Sequence, residues 1–225
     1  MSPAQPSSGH EHLIRDLAAH LRPIRRLRSP AVRALMWLAV VAAVALALIA
    51  LSDVSAVMRR LTAAPDMWMS ACGSAATTVL AALAAFALSM PDRSRAWALL
   101  PIPAALIWIA ATGAGCLRAW LIPDAHSATM NEEKDCLLFI VGLSVPLSAL
   151  LIMMLRRGYP LDPGLTAIMA GLAAAAAAAT LLLLFHPFDA SATDLTVHMF
   201  AVGLVVLVNR AFARRSLGMD RAASA

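Results

Sequence analysis

The chain has 225 residues, of which 61% are hydrophobic and only 14% charged, with a mean hydropathy of +0.77. A soluble domain carries about a quarter charged residues, so this composition excludes an ordinary soluble domain and points to a bilayer protein. The net charge of +5 is then no argument for nucleic acid, because arginines in a multi-pass chain collect on cytoplasmic loops and set its orientation.

Residues 1–10, MSPAQPSSGH, are polar and rich in Pro and Ser, and we read them as disordered. They lack the basic start and apolar core of a signal peptide. Residues 11–21, EHLIRDLAAHL, set Leu13, Ile14, Leu17, Ala18 and Leu21 at helical spacing, with Glu11, Arg15, Asp16 and His20 largely opposite. The spacing predicts a short amphipathic helix ending near Pro23, which either lies on the membrane surface or docks a cytosolic partner. A basic collar follows, with Arg22, Arg25, Arg26, Arg28 and Arg33, whose plain role is to fix topology and touch anionic lipid.

Six apolar runs come next, near 34–52, 67–90, 96–116, 137–155, 165–185 and 195–212. Each is about the length needed to cross roughly 30 Å of hydrocarbon. The N-terminal segment, the links 91–95 and 156–164, and the C-terminal tail together hold fourteen basic residues, against four on the other side: Arg59, Arg60, Arg118 and Lys134. This puts both termini in the cytoplasm. The expected fold is therefore an all-α polytopic membrane protein of six transmembrane helices. A cytosolic segment 1–33 precedes the membrane domain 34–212, and a basic tail 213–225 follows it. Span interiors carry no Asp, Glu, Lys or Arg, with Arg210 at the end of the last run counted with the tail. Transporters and channels usually carry such groups, so that class is disfavoured. Pro146 should kink the fourth span, and Pro101 and Pro103 should shape the start of the third. Gly171 and the seven alanines 173–179 give the fifth a smooth face for close helix packing.

Candidate chemistry gathers on the outer side. Cys116 closes the third span and Cys136 opens the fourth, at the two rims of a polar acidic link; Cys72 lies near the outer end of the second. All three thiols then face the oxidising compartment, where disulfides persist. Three readings of Cys116 and Cys136 stand side by side: a structural disulfide, a redox- or metal-responsive pair, or two inert thiols. Asp124 and His126 in the link, and His186, Asp189, Asp194 and His198 around the last outer loop, are possible metal or supporting ligands. Their spacing fits no strict motif, and capping or backbone hydrogen bonding explains them as well.

No catalytic constellation is present: no GxSxG, HExxH, Walker loop, glycine-rich dinucleotide fingerprint or CxxC pair. We read the chain as a non-enzyme needing no cofactor, a heavy metal entering only as a possible signal. A small metal or solute exporter and a membrane thiol-redox protein are the competing classes. The uncharged spans weigh against the first, the missing CxxC against the second.

The segments LIRDLAAHLRPIRRLRSP before the first span, GCLRAW closing the third, DCLLFI opening the fourth, RRGYPLDP after it and LFHPFDAS before the last occur together over residues 12–215. In this combination the chain resembles the NrsF-like family, negative regulators of the extracytoplasmic-function sigma factor F. The resemblance implies an anti-sigma factor of the bacterial inner membrane. Its N-terminal segment, with Leu13, Ile14, Leu17, Leu21, Arg25 and Arg26, would hold the sigma factor, and no nucleic acid would be bound directly. Cys116 and Cys136 correspond to the family's two outer cysteines, implicated in sensing oxidants or heavy metals.

Overall fold

A computed structural model of the chain describes residues 8–19, 27–63, 65–121, 130–158, 160–184 and 194–216. Among these residues the secondary structure is helical throughout, with no strand: α1 (Ser8–Ala19), α2 (Pro30–Ile49), α3 (Val54–Ala63), α4 (Pro65–Leu88), α5 (Ile102–Leu121), α6 (Met130–Leu155), α7 (Pro163–Leu182) and α8 (Asp194–Ser216). Among the described residues five stretches are long and apolar enough to cross a membrane: 30–49, 66–88, 95–117, 137–158 and 163–182. In α8 the described apolar stretch is Met199–Phe212, which holds Arg210 near its end.

Local chemistry sets several helix ends. Ser29 caps α2 by accepting from Val32 N at 3.4 Å, and Pro30 occupies the first helical position, where its missing N–H costs nothing. Asp162 and Pro163 start α7 in the same way, with Asp162 Oδ1 accepting from Leu165 N at 3.1 Å. The RRGYPLDP segment is thus a 3-10 turn (Arg156–Gly158) leading into a helix cap. The third span opens as a 3-10 turn, Arg95–Leu99, and becomes α5 only past Pro101, as the proline pair suggested. Pro146 lies inside α6, where it cannot donate to the Gly142 carbonyl.

The six long helices alternate in direction around a central post. That post is α7: 78% of its apolar window is buried, against 17% for α2. The others form a closed ring in the order α2, α4, α5, α8, α6. Alanines 173–179 are all buried, and their small radius lets the backbones of α4, α8 and α6 come close. In a bilayer this close packing replaces the hydrophobic drive between helices. A Cβ added at Gly171 would meet Val206 Cα at 2.9 Å, whereas one at Gly142 would meet nothing within 4 Å. Gly171→Ala is therefore expected to cost about 1–3 kcal/mol by forcing α7 and α8 apart. Gly142→Ala should be neutral or stabilise by about 0.5–1 kcal/mol through helix propensity. Thermal unfolding in detergent compares the two; equal effects would refute the close α7–α8 contact.

Several sequence-based boundaries need correcting. Helix α1 begins at Ser8, so residues 8–10 form its first turn rather than a disordered tail. The 53–66 link holds α3, whose start Asp53 caps by accepting from Ser55 Oγ at 2.7 Å, Ala56 N at 3.1 Å and Ser55 N at 3.0 Å. The Ser55 hydroxyl first, and then the Ala56 amide, hold this exposed carboxyl below the usual carboxylate range. Helix α5 runs past Cys116 to Leu121 and α6 begins at Met130, ahead of Cys136, so the described residues between the two thiols are helical. Finally, α2 starts at Pro30, before Arg33, and this changes the role of that arginine.

Candidate functional site

At the end of the bundle where α2 begins, Arg33 is buried at 6% exposure rather than reaching for lipid headgroups. Its Nη1 donates to Ser89 Oγ at 3.3 Å, and its Nη2 donates to the Met154 carbonyl. The guanidinium carbon lies 4.9 Å from the centroid of the Phe86 ring. One turn on, Trp37 Nε1 donates to the Leu147 carbonyl at 3.2 Å. Arg33, Ala34 and Trp37 are the buried residues of α2. The helix is thus held on α4 and α6 by a cation, an indole and the buried Ala34 near its start. The i, i+4 spacing of Arg33 and Trp37 on one face was the available sequence signal.

The same end draws in α7. Thr166 Oγ1 reaches the Leu88 carbonyl at 3.5 Å, and Arg95 Nη2 pairs with Asp162 Oδ2 at 3.5 Å on the surface. A Cβ at Gly158 would meet Ser89 O at 2.8 Å, so glycine allows the α6–α7 turn to sit against the residue that bonds Arg33. Among the described residues the charged group bearing on Arg33 is Arg157, of like sign. Hydrogen bonds and the π-face, rather than a carboxylate, therefore stabilise this buried cation.

At the opposite end, hydroxyl pairs join the helices: Ser70 Oγ with Thr112 Oγ1 at 3.1 Å, and Thr180 Oγ1 to Ser74 Oγ at 3.0 Å. Cys116, on α5 one turn beyond Thr112, is buried, and Cys72 on α4 is exposed. Cys136 stands on α6 one turn outward of Ile140, which packs with Ala178, Leu182 and Ala201. His198 stands on α8 one turn outward of that same Ala201. The side chains of Cys136, Asp194 and His198, and the whole of Asp124, His126, His186 and Asp189, lie outside what is described. Helices α5, α8 and α6 are consecutive in the ring, so the helix bearing His198 stands between the two that bear Cys116 and Cys136. Among the described residues no three His, Cys, Asp or Glu gather closely enough to hold a metal.

The N-terminal helix exposes its apolar stripe: Leu13 is 56%, Ile14 64% and Leu17 62% exposed. Its polar side carries a Glu11–Arg15 pair at 3.4 Å. Leu21, Arg25 and Arg26 lie outside the described residues.

A protein-family model described as negative regulator of sigma F (NrsF) matches residues 17–218, from the last turn of α1 to just past α8. Neither the curated proteins nor the solved structures give a match. The family match takes in both ends of the bundle, the anchored start of α2 and the cysteine-bearing helices alike. The chain belongs to the NrsF family, negative regulators of sigma F.

Proposed function

We propose that this protein is a multi-pass anti-sigma factor of the bacterial inner membrane that holds an extracytoplasmic-function sigma factor through α1 and releases it when oxidant or heavy metal reaches Cys116 and Cys136. The observation that carries the reading is the exposed stripe of Leu13, Ile14 and Leu17 on a helix of a chain whose family implies a sigma-factor partner. An amphipathic helix with i, i+1 and i+4 apolar anchors is the usual form for docking into a hydrophobic groove. In this reading α8 is the sixth span, both termini are cytoplasmic, and the protein acts without catalysis. The excess of arginines at the Arg33 end and the alternating helix directions support that orientation.

A direct path joins input to output. Cys136 and Met154 are on the same helix, separated by about 27 Å at 1.5 Å per residue. The Met154 carbonyl accepts from Arg33, at the start of the helix that follows the sigma-binding segment. A thiol reaction that shifts α6, with Pro146 as the point of bending, therefore acts on the anchor of α2. Release needs only that the two packings of α6 differ in affinity for the sigma factor.

The test uses the tagged full-length chain in cells. It should co-purify a sigma factor before stress and lose it after oxidant or heavy metal. Cys116→Ser/Cys136→Ser should hold the factor through the same stress, with at least a tenfold smaller induction of its regulon. Unchanged induction in the double variant would remove the thiols from the mechanism, and absence of a sigma factor from the unstressed pull-down would remove the whole reading.

A further inference from the structure

Between α6 and α8, on the outside of the bundle, runs an apolar groove of about 370 Å³. Val145, Ile152, Met153 and Val208 line it, Ser148 and Asn209 also face it, and Arg156 stands at one end. Its volume lies within the range of small-molecule pockets, about 300–1,000 Å³. Asn209, 4% exposed, donates through Nδ2 to Ser148 Oγ at 3.0 Å and to the Val205 carbonyl at 2.8 Å. This bond ties α8 to α6 beside the groove and makes the groove a fixed feature rather than a gap between loosely apposed helices.

Two observations select the occupant. First, the lining runs along α6 from Val141 to Arg156, about 22 Å at 1.5 Å per residue. One leaflet contributes about 15 Å of hydrocarbon, so a full acyl chain fits along it. Second, Arg156 is exposed and lines the groove at its end, and its neighbour in sequence, Arg157, is exposed as well. Among the described residues neither forms an ion pair, and no carboxylate lines the groove. A hydrocarbon trough ending in unneutralised guanidinium at the membrane boundary complements one common molecule, because guanidinium pairs readily with phosphate. We infer that this groove binds an anionic phospholipid of the cytoplasmic leaflet, one acyl chain lying against Val145 and Met153 and its phosphate against Arg156. The inference rests on the membrane reading above. It adds a lipid site on α6, the helix that joins Cys136 to the Arg33 anchor.

The test is native mass spectrometry of the detergent-solubilised full chain, given equal phosphatidylglycerol and phosphatidylcholine with the same acyl chains. The wild type should retain phosphatidylglycerol about fivefold better, as expected for one basic residue at an anionic surface. Arg156→Gln should abolish that preference while leaving acyl binding. Val145→Trp and Met153→Trp, at side chains 59% and 58% exposed, should each fill the trough and reduce retention of both lipids. Far-ultraviolet circular dichroism and thermal unfolding confirm that the variants fold. Equal retention of both lipids by the wild type, or retention untouched by either Trp variant, would overturn the inference. So would a dimer in lipid-free detergent that Val145→Trp breaks, which would assign the groove to a second copy. Failure of the membrane reading would appear separately, as a chain extracted from cells without detergent.

Discussion

Replacing Leu13, Ile14 and Leu17 together by Asp in the full chain is expected to abolish co-purification of the sigma factor and leave its regulon on without stress. Each of these side chains is more than half exposed, so the change should not disturb the bundle. Burying an aliphatic side chain of this size in a partner's groove contributes about 1.5–3 kcal/mol. Three such anchors replaced by carboxylates lose that contribution and place charges against apolar surface, so affinity should fall by at least about a hundredfold. If α1 instead rests on the bilayer, the same variant would leave sigma binding intact and only weaken attachment of an α1 peptide to anionic vesicles. Pull-down and vesicle sedimentation on the same variants separate the two. Intact sigma binding in the triple variant would exclude the apolar stripe as the docking surface.

The second large effect is expected at Arg33. Arg33→Ala removes the donors to Ser89 and Met154, leaves the Phe86 face without its cation and opens a cavity among α2, α4 and α6. Hydrogen bonds to a charged group contribute about 1.5–3 kcal/mol, and loss of packing adds to this. Desolvation of the guanidinium opposes both, so a net loss of about 2–4 kcal/mol is expected. Arg33→Met fills most of the space and needs no charge desolvated. Apolar replacement of a buried ionic group is often neutral or stabilising, and Met should stay within about 1 kcal/mol of wild type. Thermal unfolding in detergent reads the ordering, with Ala well below Met and Met near wild type. If Ala matched wild type, the buried contacts would contribute nothing; if Met fell as far as Ala, the guanidinium itself would be indispensable. The Met variant also isolates the functional part of the anchor. It should keep the bundle while raising basal release of the sigma factor, because α2 loses the bond from Arg33 to α6 and keeps only that of Trp37.

Much of this architecture was visible in composition and pattern. Apolar runs of about twenty residues are legible because a bilayer forces the backbone to satisfy itself in a helix and sets the length of that helix. The stripe of Leu13, Ile14 and Leu17 was legible because a helix facing water on one side alternates polar and apolar residues at its own period. The alanine run 173–179 marked close packing for an equally local reason: side-chain size can be read one residue at a time. The position of Cys116 and Cys136 near the ends of their helices also followed from the pattern, although helical extensions to Leu121 and from Met130 shorten the link between them.

The same local logic could not show that α7 is the central post, that α8 separates α5 from α6, or that α6 and α8 leave a groove between them. A membrane helix is apolar on every side, so periodicity does not distinguish the face turned to protein from the face turned to lipid. That choice depends on the fit of one helix surface to another, as where Gly171 meets Val206 and Asn209 meets Ser148. Arg33 shows the same division most sharply. As one arginine in a basic collar it reads as a topology signal. Only the folded arrangement brings Phe86, Ser89 and Met154 around it from helices far away in the chain. A buried cation is stable only where such partners converge, and their convergence is a property of the packed bundle.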